Sequence, residues 1–143
     1  MGGLTVIPDR PLEDLDGVEM LLLPGGNMWE QGYPADRLEP VLHRLVAESI
    51  PIAGICAATV ALARAGLFRD RRHTSNGRDF LQHYAPGYET ADGYVDRLAV
   101  ADRGIISASG LGAVEFAAEI FTTLRAFSDE TIAQFRTMYR ATA

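Results

Sequence analysis

A buried strand that ends at the chain's only cysteine is the feature that most constrains its fold. The apolar run Ile52–Ile55 leads directly into Cys56, and the small residues of Ala57–Ala63 then predict a helix. The cysteine therefore lies at a sharp corner between a strand and a helix. Gly54 and Ala58 place small residues two positions before and two positions after it, as the strained turn of a nucleophile elbow requires. The pattern predicts an α/β fold that holds a nucleophile at the end of a strand.

Two interpretations of Cys56 stay open on this pattern alone. A thiol at the start of a helix meets unpaired N–H groups, which favour the reactive thiolate form. A free cysteine is equally typical of a small buried hydrophobic residue that carries no chemistry. The two interpretations differ in whether the sulfur is accessible and hydrogen-bonded.

Composition and charge exclude several classes of partner. The 143 residues are 48% hydrophobic and 22% charged, which fits one globular domain over residues 1–143. There are 19 acidic and 13 basic residues, and no basic cluster extends beyond Arg69, Arg71 and Arg72, so nucleic acid is not expected as a partner. No apolar run approaches the ~18 residues of a membrane span, so no membrane partner is expected.

The single cysteine also bears on compartment and on metal binding. It cannot form an internal disulfide, and it favours a reducing, cytoplasmic compartment. No spacing of histidine, cysteine and carboxylate residues matches a metal site, so neither a metal nor another cofactor is expected. We therefore expect any chemistry to use side chains and backbone alone.

A second buried strand, predicted over Val18–Leu23, ends in the glycine pair Gly25 and Gly26. Glycines at the carboxyl end of a strand leave backbone N–H groups free to face a ligand, and ligands bind at that end of open α/β sheets. The alternative is an ordinary tight turn. Trp29 follows in a loop, where it either walls a pocket or simply packs.

The short segment His73–Asn76 brings an imidazole, two hydroxyls and an amide together. A cysteine nucleophile is typically activated by an adjacent base, usually histidine, and His73 is the strongest candidate for Cys56. The alternative is that His73 is a strand residue with structural hydrogen bonds only. We expect Thr74, Ser75 and Asn76 to line the same pocket.

The remaining periodicity predicts four further helices and one hairpin. The first helix begins with a capping box of Asp36 and Glu39, and Gly66 closes the helix that follows the cysteine. The last helix carries an apolar stripe that would pack on the body of the domain or on a partner. The predicted ranges are an extended segment ended by Pro8, helices over 36–49, 79–84, 113–127 and 128–141, and a hairpin over 93–109.

Three stretches together resemble the ThiJ/PfpI family, within the class I glutamine amidotransferase-like superfamily. They are Leu21–Gly26, Gly54–Thr59, and Ile106–Gly110 followed by Val114–Ala117. The resemblance covers about Gly2 to Leu124, and His73–Asn76 resembles a bacterial subgroup described only as glutamine amidotransferase-like. It implies a flavodoxin-like three-layer sandwich with a mostly parallel sheet, usually a homodimer. It also implies a reactive cysteine, with oxyanion donors that fall here on Gly26 and Ala57.

The chain departs from the family pattern in three places. Family members usually begin with a strand and helix whose acidic residue hydrogen-bonds the cysteine, and about 30 or more residues of that unit are expected to be absent here. The protease-like branch has histidine after the cysteine, where this chain has Ala57. True glutaminase domains have a histidine two residues before a glutamate, but Glu115 has Ala113 there, so classical glutamine hydrolysis is not expected. A dimer, with possible exchange of elements between chains, would bury the surface that the absent strand leaves.

Two functions from different classes follow from the resemblance. The first is a small-molecule hydrolase or lyase in which the Cys56 thiolate attacks a carbonyl or amide, Gly26 and Ala57 hold the oxyanion, and His73 moves protons. The second is a redox-sensing or stress-protective protein in which an oxidant reacts with Cys56, or an inactive glutamine amidotransferase-like remnant. An enzyme would process many carbonyl equivalents per Cys56, whereas a sensor would consume one oxidant equivalent.

Overall fold

Four short strands form one sheet in the computed structural model, which describes residues 5–89 and 91–139. The strands are β1 (Leu21–Leu23), β2 (Ile52–Ile55), β3 (Ala99–Asp102) and β4 (Ile105–Ala108). Their order in the sheet is β1-β2-β4-β3; β1, β2 and β4 run parallel, and β3 pairs antiparallel with β4. The predicted mostly parallel α/β sheet is therefore confirmed.

Helices cover both faces of the sheet, because successive side chains of each strand point to opposite faces. Ile52 and Ile105 join the larger core, whereas Ala53 and Ile106 join a smaller core with Phe116. The helices are α1 (Met28–Gln31), α2 (Ala35–Ala47), α3 (Thr59–Arg64), α4 (Arg78–Tyr84), α5 (Ala113–Leu124) and α6 (Asp129–Tyr139). The larger core is formed with α2 and α3, and the smaller one with α5.

Strand β1 is shorter and more exposed than the sequence indicates. It begins at Leu21 rather than Val18, opposite Ile52, because Pro51 before that residue has no N–H to extend the ladder. Leu22 is 47% exposed, since α5 packs against the other three strands. Among the described residues β1 pairs directly with β2 and has no strand on its other side.

Two expectations about helix ends have different outcomes. The capping box of Asp36 and Glu39 is wrong: α2 begins one residue earlier, its cap position is Pro34, and no side chain caps it. Gly66 does close α3, with φ +71. There the N–H of Leu67 donates to the carbonyl of Leu62 at 3.0 Å, which is the bond expected of a Schellman end.

The C-terminal half follows the predicted order. The hairpin turn is made by Arg103 and Gly104, both with positive φ, as a two-residue turn between antiparallel strands requires. Helix α6 packs on α5 of the same chain, where Arg136 lies 2.9 Å from Glu119. The predicted end of α6 at residue 141, and the first four residues of the extended N-terminal segment, lie outside the described residues. No helix within the described ranges has both the length and the apolar character needed to cross a bilayer.

Candidate active site

The turn at Cys56 has the geometry expected of a nucleophile elbow. Ile55 ends β2 in an extended conformation, and Cys56 then adopts φ +58, in the left-handed region that is strained for any residue with a Cβ. The 3-10 turn Cys56–Ala58 follows and continues into α3. Cys56 is half-buried rather than enclosed. This strained turn holds the thiol at the carboxyl end of the central strand β2.

Glycines bring backbone close to the cysteine on two sides. A Cβ at Gly25 would lie 2.9 Å from the Cβ of Cys56, and a Cβ at Gly110 would lie 3.1 Å from its Sγ. Gly54 meets a different limit, because a Cβ there would lie 2.9 Å from Cδ1 of Leu62 in α3. The steric reason for a small residue two positions before the cysteine is therefore the packing of α3 on β2.

Asn76 is the polar side chain that contacts the sulfur. Its Nδ2 lies 3.3 Å from Sγ of Cys56, and its Oδ1 accepts a hydrogen bond from the N–H of Gly110 at 2.9 Å. Asn76 is exposed, so the contact lies at the mouth of the site. Of the four polar residues predicted to face the cysteine, the structure brings this one to the sulfur.

Thr74 and Ser75 make buried hydrogen bonds that hold the 73–76 segment in place. The Thr59 hydroxyl donates to the carbonyl of Cys56 at 2.6 Å and lies 2.7 Å from the hydroxyl of Ser75. Because Thr59 has a single hydroxyl hydrogen, Ser75 must donate to Thr59. Thr74 donates to the carbonyl of Arg97 at 2.7 Å. Both residues are buried, so they fix the 73–76 segment against the elbow and do not line an open pocket.

His73 is fully buried and both of its ring nitrogens are occupied. Nδ1 lies 2.8 Å from the carbonyl of Arg71, and Nε2 lies 2.5 Å from the hydroxyl of Tyr88. A carbonyl only accepts, so Nδ1 carries the hydrogen and Nε2 accepts from Tyr88. The ring also stacks on Phe68 with centroids 4.2 Å apart. This arrangement favours the structural alternative for His73 and leaves no ring nitrogen for Cys56.

Acid is expected to destabilise the protein through His73. Burial lowers the pKa of His73 in the folded protein below its ordinary value near 6.5. The unfolded chain then takes up the proton first, so the contribution of neutral His73 to the free energy of unfolding is complete above about pH 6.5. It is lost as the pH falls from there through the folded value. Urea unfolding measured from pH 8 to pH 5 tests this loss.

The matched variants for that experiment are His73→Asn and His43→Asn. His73→Asn removes the titrating ring, so its free energy of unfolding is expected to lose the part of the acid dependence that His73 supplies. His43 is exposed on α2, and its replacement is expected to leave the acid dependence as in wild type. An acid dependence that is identical in wild type and His73→Asn would contradict the assignment.

Trp29 lies in the larger core, which favours the packing alternative for this residue. It is 7% exposed, and its indole Nε1 donates to the carbonyl of Pro24 at 2.8 Å. This bond secures the turn that carries Gly25 and Gly26, both of which are exposed. Gly26 follows Gly25, where an added Cβ would lie 2.9 Å from the Cβ of Cys56, so its backbone N–H belongs to the segment that approaches the cysteine. Ala57 follows the cysteine directly, in a first helical turn whose N–H groups have no partner within the helix.

A cavity of about 680 Å³ opens beside Asn76. It carries charges of both signs, and the guanidinium of Arg78 lies 5.5 Å from the centroid of the Tyr94 ring. The cavity is large enough for a small organic molecule. Its lining residues are Asn76, Gly77, Arg78, Asp79, Phe80, Tyr94 and Asp96.

Sequence reasoning missed Gly110 and Arg78 as site residues. Gly110 belongs to the third stretch that resembles the ThiJ/PfpI family, so a signal for it was present. Arg78 carried no motif, although it follows the predicted pocket residue Asn76 by two positions. Within the described ranges, no group of three or more histidine, cysteine, aspartate and glutamate side chains is arranged to hold a metal ion.

Known proteins resemble this chain in sequence and in fold. The model of the DJ-1/PfpI family matches residues 1–123. A Bacillus subtilis protein named as the uncharacterized protease YoaZ is 34% identical over 137 residues, which is 92% of this chain and 63% of that protein. A protein of Pyrococcus abyssi named as a deglycase is 33% identical over 75 residues, or 51% of this chain and 45% of that protein.

A solved structure extends the comparison to the fold. The DJ-1 superfamily protein Atu0886 from Agrobacterium tumefaciens has a TM-score of 0.85 and 37% identity, covering 96% of this chain and 73% of that one. The chain spans only about three fifths of the length of YoaZ, as its 63% coverage states. The activities in the names of these full-length relatives are therefore carried to this chain only as proposals.

Proposed function

The chain belongs to the DJ-1/PfpI family, and on that premise we propose that it is a cysteine-dependent hydrolase or lyase that acts on a small carbonyl or amide compound. One observation carries the proposal: Cys56 sits at φ +58 on the elbow with an amide donor 3.3 Å from its sulfur. The names protease and deglycase among the relatives are consistent with attack on a carbonyl carbon. The proposal treats residues 1–143 as one domain and includes a cytoplasmic homodimer.

The first step forms a bond between Sγ of Cys56 and the carbonyl carbon. The carbonyl π electrons move to oxygen, and the N–H groups of Gly26 and Ala57 donate to the resulting oxyanion. The thiol proton passes to water, because Asn76 cannot accept a proton and both ring nitrogens of His73 are occupied. An amide substrate then loses its amine, with a proton from water, and water hydrolyses the thioester. A 1,2-dicarbonyl aldehyde instead gives a hemithioacetal, whose carbinol proton passes through water to the neighbouring carbonyl carbon and leaves a thioester. Water then hydrolyses this thioester to a 2-hydroxy acid and releases the thiol.

Classical glutamine hydrolysis is not part of the proposal. The glutamate that would belong to such a triad, Glu115, lines a separate cavity with Arg97 and Arg136. Ala113, two residues earlier, carries no imidazole. We therefore assign the chemistry to the thiol and the backbone donors.

A second candidate function is redox sensing or stress protection. It is favoured by the half-buried position of Cys56 beside the amide of Asn76, since an accessible sulfur that is hydrogen-bonded as the thiolate reacts with peroxide. In that reaction the sulfur is oxidised to sulfenic acid and the peroxide is reduced, with one oxidant equivalent consumed per chain. An enzyme differs in that it regenerates its thiol.

A turnover assay distinguishes these functions. The full chain is incubated with excess methylglyoxal, glyoxal or a chromogenic amide, and the substrate consumed per Cys56 is followed. We expect many equivalents of at least one carbonyl or amide to be consumed. Consumption that stops at one equivalent, with peroxide reacting one to one, would overturn the enzymatic proposal and support the sensor.

A further inference from the structure

We propose that Asn76 is a catalytic residue that donates a hydrogen bond to the Cys56 thiolate, with the N–H of Gly110 holding its amide in the donating orientation. The inference rests on the proposed function in that it takes the sulfur as the reacting atom. It gives Asn76 the contact with the sulfur that the sequence predicts for His73, as a hydrogen-bond donor and without proton transfer. The contacts are Nδ2 to Sγ at 3.3 Å and the N–H of Gly110 to Oδ1 at 2.9 Å.

The Gly110 contact fixes which end of the amide faces the sulfur. A backbone N–H only donates, so the amide atom opposite Gly110 must be the acceptor Oδ1. The donor Nδ2 is then the atom that faces Sγ. A thiolate accepts from that donor, and hydrogen bonds to a charged partner are about twice as strong as neutral ones.

Gly110 is suited to this role because it has no side chain. A Cβ at this position would lie 3.1 Å from Sγ of Cys56 and 3.4 Å from Oδ1 of Asn76. Only glycine brings its N–H to the amide without crowding the sulfur. The segment that carries Asn76 is also held in place. Ser75 hydrogen-bonds to Thr59, and the Thr59 hydroxyl donates to the carbonyl of Cys56.

An amide stabilises a thiolate without taking up or releasing a proton. Reactivity of Cys56 should therefore rise with pH in a single step, with no second step from a neighbouring base. The charged groups on the surrounding elements are mostly exposed and are unchanged in the variants below, so they do not alter the comparison. They are Glu30 on α1, Arg64 on α3, Arg78, Asp79 and His83 on α4, Asp96 before β3, and Glu115 on α5.

The test is the rate of Cys56 alkylation by iodoacetamide from pH 5 to pH 10 in the full chain. Asn76→Asp keeps an acceptor for Gly110 but replaces the donor with a negative charge, and Asn76→Ala removes both contacts. At pH 7 we expect alkylation to slow about tenfold in Asn76→Ala, and further in Asn76→Asp, with the step moved to higher pH. Asn27→Ala, at the chain's other asparagine, is expected to match wild type because Asn27 makes no side-chain capping bond.

The outcomes separate this inference from the proposed function. Profiles that coincide in wild type and both Asn76 variants would overturn the role of Asn76, whether or not wild type turns over a substrate. A shifted profile in a wild-type protein that turns over nothing supports the thiolate contact and overturns only the enzymatic proposal. A purely structural role for Asn76 would lower the thermal unfolding midpoint and leave the pH profile in place, which would also overturn the inference.

Discussion

Cys56→Ser is expected to lower turnover of any carbonyl or amide substrate by about 10³-fold or more. Serine is nearly isosteric with cysteine, so it preserves the elbow while removing the easily ionised thiol. A serine hydroxyl needs a base to become a nucleophile at neutral pH. Asn76 cannot serve as that base, and the ring nitrogens of His73 are occupied. The assay is the multiple-turnover measurement described above.

Two controls accompany the serine variant. Cys56→Ala removes the nucleophile altogether and is expected to be as inactive as Cys56→Ser, since serine gains nothing without a base. Both variants should unfold at the wild-type temperature, because the half-buried thiol carries little of the core. Substantial turnover by either variant would assign the chemistry to another group and contradict the proposed function.

Gly54→Val is expected to lower the free energy of unfolding by about 3 kcal/mol. A Cβ at Gly54 would already lie 2.9 Å from Cδ1 of Leu62, and valine adds two methyl groups. The strand cannot move away, because Gly54 pairs with Leu23 on one side and Ser107 on the other. The loss therefore reflects the packing of α3 against the central strand, and urea denaturation measures it.

Two further variants make this prediction specific. Gly77→Ala is the matched control, since a Cβ at Gly77 meets nothing within 4 Å and its backbone is extended, so its stability should stay within about 0.5 kcal/mol of wild type. The double variant Gly54→Val/Leu62→Ala should be destabilised by less than the sum of the two single substitutions, because Leu62→Ala removes the atoms that clash. If the two substitutions destabilise additively, the contact with Leu62 is not the cause.

The sequence was most informative where local chemistry and tertiary environment agree. The β2 strand, the corner at Cys56 and the hairpin of β3 and β4 each combine an apolar run with the small or turn-forming residues that end it. These patterns supported the ThiJ/PfpI resemblance, which the family match over residues 1–123 confirms. The fold class followed, because parallel strands joined through helices leave few topologies open.

The sequence was least informative where tertiary packing gives different environments to polar residues that are close together in the chain. His73 and Asn76 are three residues apart in one polar segment, and imidazole is the more familiar partner of a thiol. Their different surroundings depend on residues outside this segment: Tyr88 and Phe68 pack around His73, whereas Gly110 orients Asn76. No local pattern encodes those contacts. The exposure of Leu22 could not be predicted for the same reason. A run of apolar residues does not show whether its strand is covered on both faces.

The proposals above all require that the folded chain presents an accessible Cys56 sulfur to which Asn76 donates a hydrogen bond. The most direct test compares iodoacetamide alkylation at pH 7 in the folded chain and in the chain unfolded by urea, each normalised to free cysteine in the same solvent. The structure predicts faster alkylation of the folded chain, because the amide of Asn76 stabilises the thiolate at a half-exposed site. Alkylation that is slower in the folded chain and recovers only on unfolding would mean that the fold protects the thiol, and would contradict the proposed role of Cys56 as a nucleophile.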